Sequence, residues 1–270
     1  MSLRRIDMAE CHQILLQIAA CFDQLCNKHD IPYYMLGGTM LGAIRHQGFI
    51  PWDDDMDFGI PRPYFDTFIQ YAERELPAVY EVLTRHNAPA IQKGLIKIQL
   101  KGSKLIEKVF GDNDTQFFNG IAIDVFPLDG CQLASWQDRW LVKQIFLLIR
   151  MQEGRFCSLD IRTGLKKVAA AFIKALPIDD NQLANRIDRL LQSWDYDSSD
   201  YVSNAYGHWK EREIIPRRVF DTPKRYGFGP LVLSGPADYD TYLKSLYGNY
   251  MQLPPKEQQL THADEIYVQE

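Results

Sequence analysis

The spacing of apolar positions changes along this chain, and each change marks a new element. Met8, Cys11, Ile14, Leu15, Ile18, Ala19, Phe22, Leu25 and Cys26 recur at steps of three and one, which lays a single apolar stripe along a helix. The stripe ends at His29-Asp30-Ile31-Pro32, because a residue before proline avoids helical dihedrals. Residues 33–36 form a short apolar run before Gly37-Gly38 and read as a strand. Residues 39–45 read as a helix after the glycines, and residues 47–52 as a loop. Residues 55–60 alternate polar with apolar, the pattern of a strand with one wet face, and Pro61-Arg62-Pro63 breaks it. Tyr64, Phe65, Phe68, Ile69, Ala72 and Leu76 give a second amphipathic helix. Alternation returns at 96–100, a turn at 101–104 leads to a strand over 105–109, and residues 121–126 form a further strand that Pro127 stops.

Residues 131–200 keep helical spacing with few turn signals. The last seventy residues are rich in Tyr, Gly and Pro, with a short helix near 238–246. The pattern predicts an α/β (α+β) protein: a mixed-sheet core over 1–130, a helical region over 131–200 and a C-terminal Tyr-rich segment over 201–270 that packs on the core. No internal repeat and no low-complexity tract is present.

Composition narrows the function classes. The chain has 270 residues, 46% hydrophobic and 24% charged, as in ordinary globular proteins. A net charge of -5 argues against nucleic acid as the main partner, since neutralising phosphates takes a basic surface. It leaves room for a small basic pocket. The five cysteines, Cys11, Cys21, Cys26, Cys131 and Cys157, are odd in number and contain no CxxC pair. They read as reduced thiols rather than a disulfide framework or a structural zinc site. The N-terminal stretch is charged rather than a signal core, and no apolar run reaches the ~18 residues of a membrane span. The expected location is the cytoplasm.

The chemistry concentrates at Asp53, Asp54, Asp55 and Asp57. Such a density of like charge is destabilising unless a cation sits among it. Strand geometry puts Asp55 and Asp57 on one face and Met56 and Phe58 on the other. Two carboxylates on one face suit a hard divalent cation, Mg²⁺ or Mn²⁺; the competing reading is a solvated acidic turn. Gly37-Gly38-Thr39 follows a strand and opens a helix, where backbone amides approach a phosphate closely, or is a plain turn. Asp124 stands between Ile123 and Val125. It reads as a third metal ligand, as the base that takes an acceptor's proton, or as a hydrogen-bonded strand end. Arg45, His46, Arg62 and Lys97 are the cations available for phosphate oxygens. Asp53 and Asp54 stay open between loop structure and a second metal.

At these residues the chain resembles a known family. Leu36-Gly37-Gly38-Thr39-Met40-Leu41-Gly42-Ala43-Ile44-Arg45-His46-Gln47-Gly48-Phe49-Ile50-Pro51-Trp52-Asp53-Asp54-Asp55-Met56-Asp57 closely resembles the LicD signature, and glycine pair then Asp-apolar-Asp is similar to the wider nucleotidyltransferase pattern. Gly120-Ile121-Ala122-Ile123-Asp124-Val125-Phe126-Pro127-Leu128-Asp129-Gly130 resembles a second LicD block. Pro236 to Leu243, Tyr247 to Met251 and Leu253-Pro254-Pro255 resemble a third, with Asn249 where aspartate is expected and Phe228-Gly229 where the family is often acidic. The resemblance implies a nucleotidyltransferase-like core that moves phosphocholine from CDP-choline to a sugar of a teichoic acid or lipopolysaccharide and releases CMP. Asp55, Asp57 and Asp124 would hold the metal. Gly37, Gly38, Thr39, Arg45, His46 and Lys97 would bind substrate. Related fukutin-type proteins imply an alternative, ribitol or glycerol phosphate from a CDP-alditol; nucleotidyl transfer to a small acceptor is another. The partners expected are a CDP-linked alcohol and a glycan or lipid-linked glycan. The basic amphipathic stretch from Leu165 to Lys174 reads first as a solvated helix, and otherwise as a peripheral contact with the inner membrane face.

Overall fold

The computed structural model describes residues 2–88, 91, 94–107, 120–156, 178–259, 261 and 263–269. Strand β1 (Leu3–Ile6) leads into helix α1 (Met8–Lys28), which is N-capped by the Asp7 carboxylate accepting from the Glu10 N–H at 2.8 Å. The apolar stripe read from the sequence is the buried face of α1. Strand β2 (Tyr34–Met35), helix α2 (Gly37–Arg45) and strand β3 (Met56–Pro61) follow. Helix α3 (Arg62–Glu75) starts directly after β3 with Pro63 in its first turn, where a missing N–H costs no helical bond.

Strands β4 (Tyr80–Leu83), β5 (Ile96–Leu100), β6 (Lys104–Glu107) and β7 (Ala122–Cys131) complete the first half. The central sheet runs β2-β3-β7-β5-β4, with β3 parallel to β7 and the other neighbours antiparallel. Helices α1 and α3 cover one face. Phe22 of α1 lies 4.6 Å from Phe58 of β3 and 5.4 Å from Phe68 of α3, ring centre to ring centre. Met56, Phe58 and Ile60 point into this core, so alternation turns Asp57 to the opposite face.

Two boundaries differ from the sequence reading. The strand expected from Asp55 begins at Met56, where the ladder to β7 starts, opposite Ile123. The residues before it are held in a turn by Asp53 N–H donating to the Ile50 carbonyl at 2.9 Å. Pro127 does not stop β7, which continues to Cys131. It faces Ile60 of β3, while on its other side β5 ends opposite Val125 and the next partner begins at Asp129. A proline in that gap breaks no ladder bond.

In the second half, helices α4 (Trp136–Phe156) and α5 (Asp180–Leu191) pack together, as the helical spacing predicts. The basic stretch from Leu165 to Lys174 lies outside the described residues. Short strands β8 (Tyr201–Ser203) and β9 (Ile214–Pro216) extend the far end of β7. Strands β10 (Lys224–Phe228) and β11 (Leu231–Gly235) form a hairpin, followed by α6 (Tyr239–Tyr247) and β12 (Ala263–Gln269). Strand β12 lies between β1 and β6 in a second, antiparallel sheet.

Candidate active site

Three side chains of the sequence reading fall in one row across the sheet. Asp57 of β3 sits opposite Asp124 of β7, and Asp124 sits opposite Lys97 of β5. Residues directly opposite point to the same face, so the row projects away from α1 and α3. The Lys97 ammonium donates to the Asp124 carboxylate at 2.6 Å, and both side chains are about a fifth exposed, at 24% and 21%. Burial alone would lower the Lys97 pKa; Asp124 beside it, then Asp55 and Asp57, outweigh burial and hold it above the ordinary lysine value. The ammonium is therefore cationic throughout the physiological range.

The turn into α2 closes over Asp57. Leu36 N–H donates to the Asp57 carbonyl at 2.9 Å, and Asp57 N–H donates to the Thr39 hydroxyl at 2.8 Å. Gly37 has φ +46°, a left-handed conformation that favours glycine. A Cβ on Gly37 would stand 3.3 Å from a carboxylate oxygen of Asp57, and one on Gly38 would stand 2.5 Å from a carboxylate oxygen of Asp53. The glycine pair thus lets the first turn of α2 press against the acidic cluster.

The cluster is electrostatically strained. Burial pushes the Asp57 carboxyl well above the ordinary carboxylate range, and Asp55, Asp124, Asp53 and Glu213 push it further. One oxygen from each of Asp53, Asp54 and Asp55 lies within 4.8 Å of the other two. Asp55 is exposed and Asp54 is buried. The Asp54 carboxylate accepts from the Thr261 hydroxyl at 2.9 Å and the Ala263 N–H at 2.5 Å, so it anchors the start of β12. This all-oxygen donor set suits a hard divalent cation.

A wall from the C-terminal segment, which the sequence reading expects to pack on the core, completes the site. The Tyr242 hydroxyl of α6 accepts from Gly37 N–H at 2.9 Å. The Tyr247 hydroxyl stands 3.8 Å from where a Gly37 Cβ would be, and its ring meets Trp209 edge-on at 5.3 Å. The Arg212 guanidinium lies 5.5 Å from the Trp209 ring centre. Trp209 is held by Glu213, a buried acid that accepts from Trp209 N–H at 2.9 Å and from the Asn204 amide at 2.7 Å. Trp209, Tyr242 and Tyr247 are among the aromatic residues of this segment that the sequence offers for a substrate site.

Gly207 is required here, since a Cβ on it would fall inside the Glu213 carboxylate. Gly207→Ala is expected to cost about 1–3 kcal/mol through overpacking. A lower denaturant midpoint at unchanged slope checks it.

The other cations are placed differently. The Arg45 guanidinium donates to the carbonyls of Tyr250 at 2.9 Å and Gln252 at 3.4 Å, tying α2 to the chain after α6. Its Nε donates to His46 Nδ1 at 3.4 Å, and His46 meets Trp52 edge-on. Burial, then the Arg45 charge, lowers the His46 pKa. Arg62 is bound to Asp129 and Asp188 at the far end of β7.

Residues 30–145 match the LicD/FKTN/FKRP nucleotidyltransferase domain. The resemblance to the LicD family is borne out. The matched stretch carries the glycine pair, the acidic loop, Lys97 and Asp124, while the Tyr242, Tyr247 and Trp209 wall lies beyond it. The chain is also 26% identical to the lipopolysaccharide cholinephosphotransferase LicD of Haemophilus influenzae, over 98% of its own length and all of that protein. Two uncharacterised proteins, from Rickettsia prowazekii and Rickettsia typhi, are 50% identical to it over 46 residues, 17% of this chain and 17% and 15% of theirs.

Proposed function

We propose that this chain is a divalent-metal-dependent transferase that moves phosphocholine from CDP-choline to a sugar of a cell-surface glycan, lipopolysaccharide or teichoic acid, with release of CMP. The observation that carries the reading is the row of Asp57, Asp124 and Lys97 under the Gly37–Gly38 turn. The cholinephosphotransferase activity of the Haemophilus relative supports the choice of donor alcohol and acceptor. Mg²⁺ or Mn²⁺ held by Asp55 and Asp57 would neutralise phosphate oxygens and the charge that develops on CMP.

The chain's own groups do the rest. Lys97 stays protonated and neutralises a phosphoryl oxygen. Gly38 and Thr39, in the first turn of α2, line the phosphates. Asp124 is the base: the sugar hydroxyl forms the new P–O bond, its proton passes to Asp124, and the anhydride P–O bond to CMP breaks. Trp209 and Tyr247 offer aromatic faces of the kind that attract a quaternary ammonium. The reaction would run in the cytoplasm at the inner face of the membrane, where a CDP-linked donor meets a lipid-linked acceptor.

The test is CMP release by purified protein with Mg²⁺ from CDP-choline, CDP-ribitol and CDP-glycerol, each offered with a panel of glycan acceptors. Release from CDP-choline, lost in Asp55→Asn, is the expected result. Release from an alditol donor alone would overturn the donor alcohol and keep the site. Pyrophosphate release from CTP would make the reaction nucleotidyl transfer.

A further inference from the structure

A second surface, on α4, has no part in the proposed reaction. The core-facing side of this helix is ordinary: Val142, Ile145, Phe146 and Ile149 are buried. The opposite side carries Trp136 at 73% exposure, Trp140 at 58% and Leu147 at 58%. At steps of four and three the outward row reads Trp136, Trp140, Lys143, Leu147 and Arg150, one straight line along a helix. From Trp136 to Leu147 it runs roughly 17 Å. Arg139 flanks it on the side of Lys143 and Arg150, with its guanidinium donating to the Leu133 carbonyl at 2.9 Å and the Ala134 carbonyl at 3.3 Å.

The charges on this helix are unevenly divided. Its two acids turn aside: Asp138 accepts from Ser135 and from the Trp194 indole, and Glu153 pairs with Lys210. Glu211 meets Arg150 at the row's far end. In a chain whose net charge is -5, this helix presents apolar rings edged by cations. Tryptophan prefers the headgroup level of a bilayer, where one part of the ring is apolar and the other wet. Cations beside it are drawn to anionic headgroups. No described helix is long and apolar enough to cross a membrane, so the contact is peripheral.

We propose that the outward face of α4 is a membrane-docking surface that inserts Trp136, Trp140 and Leu147 among the headgroups of an anionic bilayer, with Lys143 against the lipid phosphates. The experiment is co-sedimentation of the full chain with phosphatidylglycerol-containing vesicles and with phosphatidylcholine vesicles, alongside tryptophan emission. Binding to the anionic vesicles with a blue shift is expected. Trp136→Ser with Trp140→Ser should weaken it by about tenfold or more, since interfacial binding scales with buried apolar area. Lys143→Gln should weaken it about fivefold, the worth of one cation at such a surface. Melting temperature reports folding, and these exposed positions should leave it unchanged.

Absence of binding overturns the proposal, as does equal binding to both vesicle types. So does binding that survives the double tryptophan change. Iodide quenching without vesicles covers the remaining case: if Trp136 and Trp140 are already shielded, another part of the chain, a second copy or a protein partner owns this face. None of these readouts depends on transfer activity.

Discussion

Asp57→Asn is expected to abolish transfer and, in metal-free buffer at neutral pH, to raise the melting temperature. Asp57 is half-buried in the row with Asp124 and Lys97. Burial first, then Asp55, Asp124, Asp53 and Glu213, push its carboxyl above the ordinary range. A carboxyl raised in the folded state favours folding when it is protonated. That contribution is complete below the unfolded carboxylate value and is lost as pH rises through the folded value. At neutral pH, above the unfolded carboxylate value, the raised carboxyl therefore opposes folding, and a neutral asparagine of the same shape removes the opposition. Deleting a charge that acts on the transferred phosphoryl group should cost several kcal/mol of the barrier, about a thousandfold in rate. Mg²⁺ supplies the internal control. At a hundredfold excess over its dissociation constant it should stabilise the wild-type protein by about 2.7 kcal/mol and leave the variant nearly unmoved. Calorimetry with and without Mg²⁺ reads both effects. A variant that melts lower in metal-free buffer would show that Asp57 is not strained, and one that keeps its rate would remove Asp57 from the site.

How much of this was legible beforehand depended on whether a feature is local. The stripe of α1 and the alternation of β3 and β5 could be read because each buries one face, and burial writes its own period into the sequence. Candidate chemistry at Asp57, Asp124 and Lys97 was likewise visible as charge on apolar strands. What no spacing reveals is that the three share one register row, since register is a property of pairing between distant segments. Strand β1 escaped notice because it buries only Ile6, and β12 because a register shift between Ala263 and Glu265 breaks the alternation of its buried Ala263, Ile266 and Val268. Glu213 and the Trp209–Tyr247 pair lie far along the chain from the aspartates and meet them only through packing. Arg45 reads as a phosphate-binding cation from its neighbours in sequence. Its guanidinium is bonded to the Tyr250 and Gln252 carbonyls, partners that only the folded chain supplies. Asp54 shows the same limit: the acidic run is obvious, while its bonds to Thr261 and Ala263 are not.

Arg62→Ala should destabilise the protein more than Gly207→Ala does, and it should leave the proposed site intact. Arg62 opens α3 and grips Asp129 of β7 with two bonds, Nε to Oδ1 at 2.5 Å and Nη2 to Oδ2 at 2.9 Å. A third contact reaches Asp188 of α5 at 3.2 Å. The Asp129 side chain is 2% exposed. Burial pushes its carboxyl up, and the guanidinium only partly pulls it back. Truncating Arg62 leaves that carboxylate buried without its partner, at a cost of about 3–5 kcal/mol. For a chain of this size the loss corresponds to roughly 6–20 °C in melting temperature. The deficit should shrink in acid, because Asp129 then escapes its charge by protonation, and it should be fullest at neutral pH and above. Arg62→Met with Asp129→Leu should recover much of the loss by filling the space with apolar volume. Asp129 lies five residues beyond Asp124 on β7, toward the end that carries β8. At a temperature where the variant is folded, its transfer rate should therefore stay close to wild type. A large fall in rate without a fall in stability would reverse the assignment and make Arg62 a substrate-binding cation. The expected outcome instead identifies it as the clamp that fastens α3 and α5 to the strand carrying Asp124.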